Sequence, residues 1–108
     1  MNAALPAPVL AYFRADAQGP EAVARCFTPQ GEVRDEGHRH VGHDAIRQWK
    51  EAASTRYNYT SEPVSWREQE GCVIVTARVA GDFPGSPVEL TYRFVLTGEA
   101  LAALEIVP

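Results

Sequence analysis

One short segment, Val33-Arg34-Asp35-Glu36-Gly37, contains the residue whose position predicts chemistry. Side chains alternate between the two faces of a β-strand, so Val33 and Asp35 share one face while Arg34 takes the other. Because Val33 is apolar, the shared face is predicted to be buried, and Asp35 with it. Apolar surroundings disfavour the charged form of an Asp and raise its pKa, as a general base near neutral pH requires. A solvated Asp35 in a turn beside Gly37 is the alternative that the pattern leaves open.

Three histidines follow this segment with the spacing H-x-H-x-x-H, at His38, His40 and His43. Alternate positions on a strand would place His38 and His40 on one face, which suits metal binding but is not diagnostic of it. Gly37 and Gly42 bracket these two residues, so a solvated turn is the preferred interpretation and no metal site is predicted. A histidine that lines a pocket near the acid is the remaining alternative.

The N-terminal half of the chain predicts three helices that would position these side chains. Apolar residues recur at helical spacing over about 5–17, with Tyr12 on the buried side. Pro20 suits the first position of a second, shorter helix, which ends before a break at 28–31. A third helix is predicted over about 43–54.

The C-terminal half predicts strands. Residues from about 57 to 68 alternate imperfectly around Pro63, which favours an edge strand or a bulge. The dipeptide Pro84-Gly85 favours a type II turn and a hairpin return. The predicted inward face of the last three strands comprises Val73, Val75, Ala77, Val79, Val88, Leu90, Tyr92, Phe94, Leu96, Ala102, Leu104 and Ile106. Helices interrupted by a short strand pair and followed by a four-stranded meander indicate an α+β fold.

Size and charge limit the classes of function. With 108 residues, 45% of them hydrophobic and 22% charged, the chain is typical of one globular domain over 1–108. Fourteen acidic against 10 basic residues give a net charge of −4 without a basic cluster, which excludes nucleic acid and anionic membranes as expected partners. No apolar run approaches the roughly 20 residues of a membrane span and no signal peptide is recognisable, so a cytoplasmic location is expected. Cys26 and Cys72 suit reduced core thiols.

The order of these elements, together with several short motifs, resembles the nuclear transport factor 2-like superfamily. The motifs are Tyr12-Phe13, Cys26-Phe27, Val33-Arg34-Asp35, Gly42, Ala45-Ile46 and Trp49. Within the superfamily the chain looks most like the SnoaL-like and ketosteroid-isomerase-like branch of small bacterial proteins. The resemblance implies a cone, in which a curved mixed or antiparallel sheet wraps around the three helices and encloses an apolar pocket. It also implies a homodimer formed through the sheet.

The resemblance assigns roles to individual residues. In ketosteroid isomerases a Tyr on the first helix donates a hydrogen bond to the substrate oxygen, an Asp on the first strand moves the proton, and a second, protonated Asp also donates. Tyr12 and Asp35 match the first two positions. The third falls near Tyr92, where no Asp is available, and the hydroxyl of Tyr92 is the donor that remains. His38 or His40 would assist Asp35 if its ring points into the cone, because His and Asp share proton transfers in some relatives.

Two functions follow as expectations. The first is a cofactor-independent isomerase, cyclase or dehydratase that removes a proton next to a carbonyl in a small hydrophobic or polyketide-like molecule, with Asp35 as base. Contacts to this ligand are expected from Phe13, Trp49, Phe94 and His38, and neither cofactor nor metal is required. The alternative is a non-catalytic dimer that binds a small hydrophobic ligand or a protein, which the missing second acid favours.

Overall fold

Three helices are present in the computed structural model, which describes residues 4–108. Helix α1 spans Ala7–Asp16, α2 spans Pro20–Arg25 and α3 spans His43–Arg56. All three predicted helices are confirmed, and Pro20 occupies the first position of α2. Proline suits that position because its fixed φ is helical and its missing N–H would have no partner within the helix.

Six strands of the described chain form one curved, unclosed sheet. They are β1 (Phe27–Asp35), β2 (His38–Val41), β3 (Tyr59–Gln69), β4 (Cys72–Gly81), β5 (Val88–Thr97) and β6 (Ala100–Val107). Their order across the sheet is β2-β1-β6-β5-β4-β3. The β1 and β6 strands pair in parallel and every other neighbouring pair is antiparallel, so the sheet is mixed. The predicted α+β cone, with a short strand pair before α3 and a meander after it, is confirmed.

The predicted break at 28–31 is wrong, because these residues lie inside β1. The strand tolerates them through a shift of its register against β6, located between Phe27 and Glu32. Gly31 is needed at this irregular point, since a Cβ there would lie 2.7 Å from the Cβ of Phe27. A proline or glycine within a strand often marks such a bulge.

The preferred turn at His38 and His40 is also wrong, because both residues belong to β2. His38 pairs with Asp35 and His40 with Val33 across the β1–β2 hairpin. The tight connection is made by 36–37 alone, and Gly37 has a φ of +77°. Backbone pairing with β1 therefore converts the segment from a turn into an edge strand.

Bulges and a turn shape the meander. Strand β3 is an edge strand whose register shifts just after Pro63, as the sequence predicts. Gly85 has a φ of +87°, which the third position of a type II turn requires. In β6 one prediction is corrected: a register shift against β5 turns Leu101 fully inward and leaves Ala102 only half-buried.

The core lies between the helices and one face of the sheet. Its centre is a cluster of aromatic rings whose centroids lie between 5.3 and 6.3 Å apart, formed by Tyr12, Phe13, Phe27, Tyr92 and Phe94. Around it pack the predicted inward side chains of β4, and Val75 and Ala77 are completely buried. Edge-to-face ring contacts of this kind add stability beyond the area they bury.

Three further features concern residues 4–108. Cys26 and Cys72 are free thiols, each half-buried. None of the helices in this part of the chain has both the length and the apolar character that crossing a membrane would demand. No three side chains of His, Cys, Asp or Glu in it come together as a metal site.

Candidate functional site

A cavity of about 620 Å³ opens between the helices and the sheet. This volume lies within the range of pockets that bind small molecules. Much of its wall is apolar, with Val79, Phe83, Val88, Leu90 and Ile106 among the lining residues. The polar side chains that reach it include five of the predicted site residues, Tyr12, Asp35, His38, His40 and Tyr92.

Asp35 is the last residue of β1 and faces this cavity. Its neighbour at the same parity, Val33, is fully buried, whereas Arg34 points to the other face and pairs with Glu32 at 2.6 Å. The predicted alternation along the strand is therefore confirmed. Asp35 itself is half-buried. Its carboxylate is therefore accessible from the cavity and is not enclosed in the protein interior.

The pKa of Asp35 is set mainly by burial and by a hydrogen bond from one neutral side chain, with smaller contributions from Glu36 and His40. The indole Nε1 of Trp49 donates a hydrogen bond to Oδ2 of Asp35 at 3.0 Å. Burial raises the pKa of Asp35, and the Trp49 bond lowers it less than burial raises it, so the net pKa lies above its ordinary value. None of the ion pairs found among residues 4–108 includes this carboxylate. Asp35 is thus an unusually basic carboxylate in an apolar cavity.

Two of the phenols that line this cavity, Tyr12 and Tyr92, are the predicted hydrogen-bond donors. Tyr92 lies in one row with Asp35 across the sheet, because Ile106 pairs with both residues. Two strand spacings separate their backbones by about 10 Å, enough for a small planar molecule to lie along the row. The ring of Tyr12 covers this region from α1, with its centroid 6.3 Å from that of Tyr92.

Both phenols remain neutral hydrogen-bond donors. Burial raises the pKa of Tyr12 well above its ordinary value, and nearby negative groups, Asp35 among them, raise it further. Burial likewise raises the pKa of Tyr92, which a hydrogen bond with Ser61 at 3.4 Å opposes only weakly. A neutral phenol in a dry site can donate to a developing negative oxygen at no cost in reorganisation.

The three histidines have different roles. His38 and His40 line the cavity from β2, and the His40 ring lies 6.2 Å from that of Trp49. His43 lies at the start of α3, where Nε2 is 2.7 Å from the backbone oxygen of Phe27. Since a carbonyl oxygen only accepts, Nε2 is the donor, and His43 fastens α3 to β1 outside the cavity.

Of the predicted ligand contacts, Trp49 and His38 lie in the cavity wall, but Phe13 and Phe94 do not. Phe94 is fully buried and Phe13 is 8% exposed, both within the aromatic cluster. Their place is behind Tyr12 and Tyr92, which separate them from the cavity. The sequence predicted Phe13, Trp49 and Phe94 on inward faces, but only the three-dimensional structure separates inward residues of the core from those of the cavity wall.

A buried ion pair was not predicted from the sequence. Lys50 on α3 lies 2.5 Å from Asp16 at the end of α1, and their side chains are only 3% and 10% exposed. The same ammonium donates to the hydroxyl of Tyr59 at 2.7 Å. The available signal was position: Lys50 follows Ile46 by four residues and so shares its inward helix face. Asp16 and Tyr59 both line the cavity.

Comparison with known proteins gives consistent matches along the chain. Residues 9–100 match the family model described as a SnoaL-like domain. A candidate polyketide cyclase from Sinorhizobium meliloti is 42% identical, with a TM-score of 0.89 over 94% of each chain. No curated protein matches.

Two more distant structures share the fold. A protein with a ketosteroid isomerase-like fold from Catenulispora acidiphila, solved with trimethylamine, is 19% identical, with a TM-score of 0.85 over 97% of this chain and 87% of the other. A cystatin-fold protein from Novosphingobium aromaticivorans is 17% identical, with a TM-score of 0.76 over 94% and 95% of the two chains. At these identities the likeness concerns the fold alone.

Proposed function

The chain belongs to the SnoaL-like domain family, and we propose that it is an enzyme that removes a proton next to a carbonyl group in a small, largely apolar substrate of polyketide type. Asp35 is the base, and Tyr12 and Tyr92 donate hydrogen bonds to the oxygen that becomes the enolate. The observation that carries the proposal is the Asp35 carboxylate, which faces an apolar cavity with a raised pKa and a neutral donor, Trp49, as its side-chain partner.

The reaction begins with a proton transfer. A carboxylate oxygen of Asp35 takes the proton from the α-carbon, the C–H electron pair forms a C=C bond, and the carbonyl oxygen becomes an enolate. In an isomerisation the proton then returns from Asp35 to a different carbon. In a cyclisation the enolate carbon attacks a second carbonyl of the substrate, and the resulting alkoxide takes the proton from Asp35, which restores the carboxylate. Positioned proton transfer typically contributes about 10²–10⁴-fold to a rate.

The residues around Asp35 suit this step. Burial makes the carboxylate more basic, which reduces the mismatch with a weakly acidic carbon. The Trp49 indole fixes the orientation of the carboxylate. Because the indole is uncharged, it does not neutralise the carboxylate, whereas a cation would. We assign to His40, which lies beside Trp49 in the wall, the exchange of a proton with the substrate or with Asp35 after the first transfer.

The ion pairs of neighbouring residues favour this proposal over the non-catalytic alternative. A permanent pairing of Asp35 with Arg34 would have indicated a structural role for the acid. Arg34 instead bonds Glu32 on the opposite face of the sheet. The cavity is also open and of ligand size, so the fold does not block access to the acid. The 42% identical candidate polyketide cyclase supports the substrate class.

Hydrogen–deuterium exchange at carbon tests the proposal without knowledge of the product. A panel of small aromatic and aliphatic 1,3-diketones is incubated in D₂O with the protein, and loss of the α-proton signal is followed by NMR. Asp35→Asn, which keeps the side-chain size, is expected to lower the exchange rate about 100-fold or more. Glu36→Gln is the matched control, since Glu36 also lines the cavity but is exposed, and its charge raises the pKa of Asp35 less than burial does, so the exchange rate is expected to fall far less than in Asp35→Asn.

Two outcomes would count against catalysis by Asp35. Exchange by Asp35→Asn at the wild-type rate would remove the base from the mechanism. Exchange of no ketone by the wild-type protein, combined with tight binding of the same compounds, would favour the non-catalytic ligand-binding alternative.

We also propose that the protein is a homodimer packed through the outer face of the sheet. Val95 on this face is a large apolar side chain that is 38% exposed, whereas Ile74 beside it is already buried within the single chain. A partner sheet would bury Val95. Light scattering is expected to give twice the chain mass, and Val95→Glu to give the monomer mass. A monomeric wild-type protein would refute the assembly and leave the cavity chemistry unaffected.

A further inference from the structure

A second polar feature of the cavity wall lies away from Asp35. Tyr59 is on the edge strand β3, which is four strands along the sheet from β1. Its hydroxyl lies 2.7 Å from Nζ of Lys50, and Lys50 in turn lies 2.5 Å from Asp16. The Lys50 side chain is only 3% exposed, and Asp16 and Tyr59 line the cavity. The proposed proton transfer uses none of these three groups.

The direction of the hydrogen bonds along this chain follows from the chemistry of Lys50. Burial lowers the pKa of Lys50, but the charge of Asp16 and the bonds to Asp16 and Tyr59 raise it more, so the pKa lies above its ordinary value. Lys50 is therefore an ammonium, which has three donors and no acceptor. The Tyr59 oxygen must accept from it, and the phenolic O–H of Tyr59 is left to donate to another group.

We propose that Tyr59 donates this hydrogen bond to an oxygen of the substrate, with Lys50 as the positioning residue that orients the phenol and Asp16 as the counter-charge of Lys50. The subsite takes a carbonyl, enolate or phenol oxygen on a flat, apolar molecule. The inference rests on the proposed function for the identity of the substrate, but oxygen binding at Tyr59 is measurable without turnover.

Two properties of the subsite support this assignment. Four tyrosines line the cavity, and Tyr59 is the one among the described residues whose hydroxyl accepts a hydrogen bond from an ammonium. A hydroxyl that accepts such a bond becomes a stronger donor through its own proton. Asp16 cancels the full charge of Lys50, so the subsite favours an oxygen with partial negative charge and does not attract every anion.

The burial of the Asp16–Lys50 pair also supports the subsite. A buried ion pair contributes little net stability, because the desolvation of both charges offsets their attraction. Structural stability alone therefore does not account for the placement of an ammonium against a cavity-lining hydroxyl. The Nζ atom also lies 4.5 Å from the centroid of the Tyr59 ring, a contact that holds the ring as well as the hydroxyl in place.

The first experiment compares two probes that differ by one oxygen, 2-naphthol and naphthalene, by equilibrium dialysis. Tyr59→Phe removes the hydroxyl and keeps the ring and the Asp16–Lys50 pair. This variant is expected to bind 2-naphthol at least about tenfold more weakly than wild type and naphthalene with unchanged affinity. Tyr57→Phe is the matched control, because Tyr57 lines the same cavity without contacting Lys50 through its hydroxyl.

The second experiment tests whether Lys50 acts through Tyr59. The double variant Asp16→Asn/Lys50→Met removes both charges, so neither is left buried alone. It is expected to weaken 2-naphthol binding in the wild-type background and to have no further effect in the Tyr59→Phe background. A purely structural pair would give equal losses in both backgrounds, and that result would overturn the positioning role. If the double variant does not fold, Tyr59→Phe alone still decides whether the phenol binds oxygen.

The Asp35→Asn variant separates the two proposals. It is expected to bind 2-naphthol at least as tightly as wild type, because Asn removes a negative charge from the cavity. Weak naphthol binding by Tyr59→Phe, together with full deuterium exchange by Asp35→Asn, would refute Asp35 as the base and support the Tyr59 subsite. Binding of 2-naphthol by Tyr59→Phe within twofold of wild type would overturn the subsite, whatever Asp35→Asn does.

Discussion

Replacement of Trp49 by Phe removes one hydrogen-bond donor from Asp35 and keeps an aromatic ring in the cavity wall. The indole N–H only donates, so its bond to Oδ2 at 3.0 Å stabilises the carboxylate more than the neutral acid. Burial raises the pKa of Asp35, and this bond is the largest contribution that opposes burial. Trp49→Phe removes the bond that lowers the pKa of Asp35, so we expect this pKa to rise further.

The size of this effect follows from the geometry of the pair. A hydrogen bond to a charged group contributes about 1.5–3 kcal/mol. Both side chains are only half-buried, and solvent weakens such a bond, so the lower end of about 1.5 kcal/mol applies. This energy corresponds to about a tenfold change in the equilibrium between carboxylate and acid. At a pH where Asp35 is mostly protonated in both proteins, the variant should therefore have about a tenth as much ionised Asp35 as wild type.

A carboxyl ¹³C NMR titration of protein labelled at its aspartates measures this equilibrium directly, and Asp35→Asn identifies the resonance. Trp66→Phe is the matched control, because Trp66 packs against the core and does not line the cavity. The midpoint is expected to move to higher pH in Trp49→Phe and to stay in place in Trp66→Phe. A midpoint in Trp49→Phe at or below that of wild type would show that the indole does not stabilise the carboxylate.

The remaining predictions concern stability. Lys50→Met alone should lower the free energy of unfolding by about 3–5 kcal/mol in urea, since Asp16 is left buried and unpaired, whereas Asp16→Asn/Lys50→Met should lose much less; equal losses would refute the ion-pair reasoning. Burial raises the pKa of Asp35 above its ordinary 3.8, so ionisation of Asp35 destabilises the fold as the pH rises from 3.8 through the folded-state pKa. The melting temperature of Asp35→Asn minus that of wild type should therefore increase across this pH range. A constant difference would contradict the predicted direction of the pH dependence. Phe94→Ala should lose about 3–5 kcal/mol and the exposed Val64→Ala about 0.5 kcal/mol or less, and comparable losses would place Phe94 outside the core.

Much of the architecture was predictable because it depends on short-range patterns. Strand periodicity identified the buried face of β4, and Pro63 indicated the bulged edge strand. The predicted break at 28–31 failed for a physical reason: Phe27 pairs with β6 on one side and 32–35 pair with β2 and β6 on the other, and this pairing carries the strand through Pro29 and Gly31 against their local preferences. Likewise the inward position of Ala102 followed from strict alternation, which a bulge in β6 interrupts.

The candidate site also combines features that the sequence predicts with features that depend on tertiary packing. Alternation within one strand was enough to turn Asp35 inward, because the backbone sends successive side chains to opposite faces whatever packs against them. The bond from Trp49 was not predictable, since it joins residues on different elements whose separation depends on how α3 packs on the sheet. The pairing of Asp16 with Lys50 and Tyr59 also joins three elements, and no local pattern records it.

Local sequence patterns defined all three helices, most of the strands and their inward faces, and the acid that faces inward, because backbone geometry repeats every two or 3.6 residues. Assembly of those elements was needed to separate core rings from cavity rings, to give Asp35 its donor and to bury Lys50 beside Tyr59. Contacts between distant residues depend on the curvature of the sheet and the seating of the helices, and these are properties of the packed molecule.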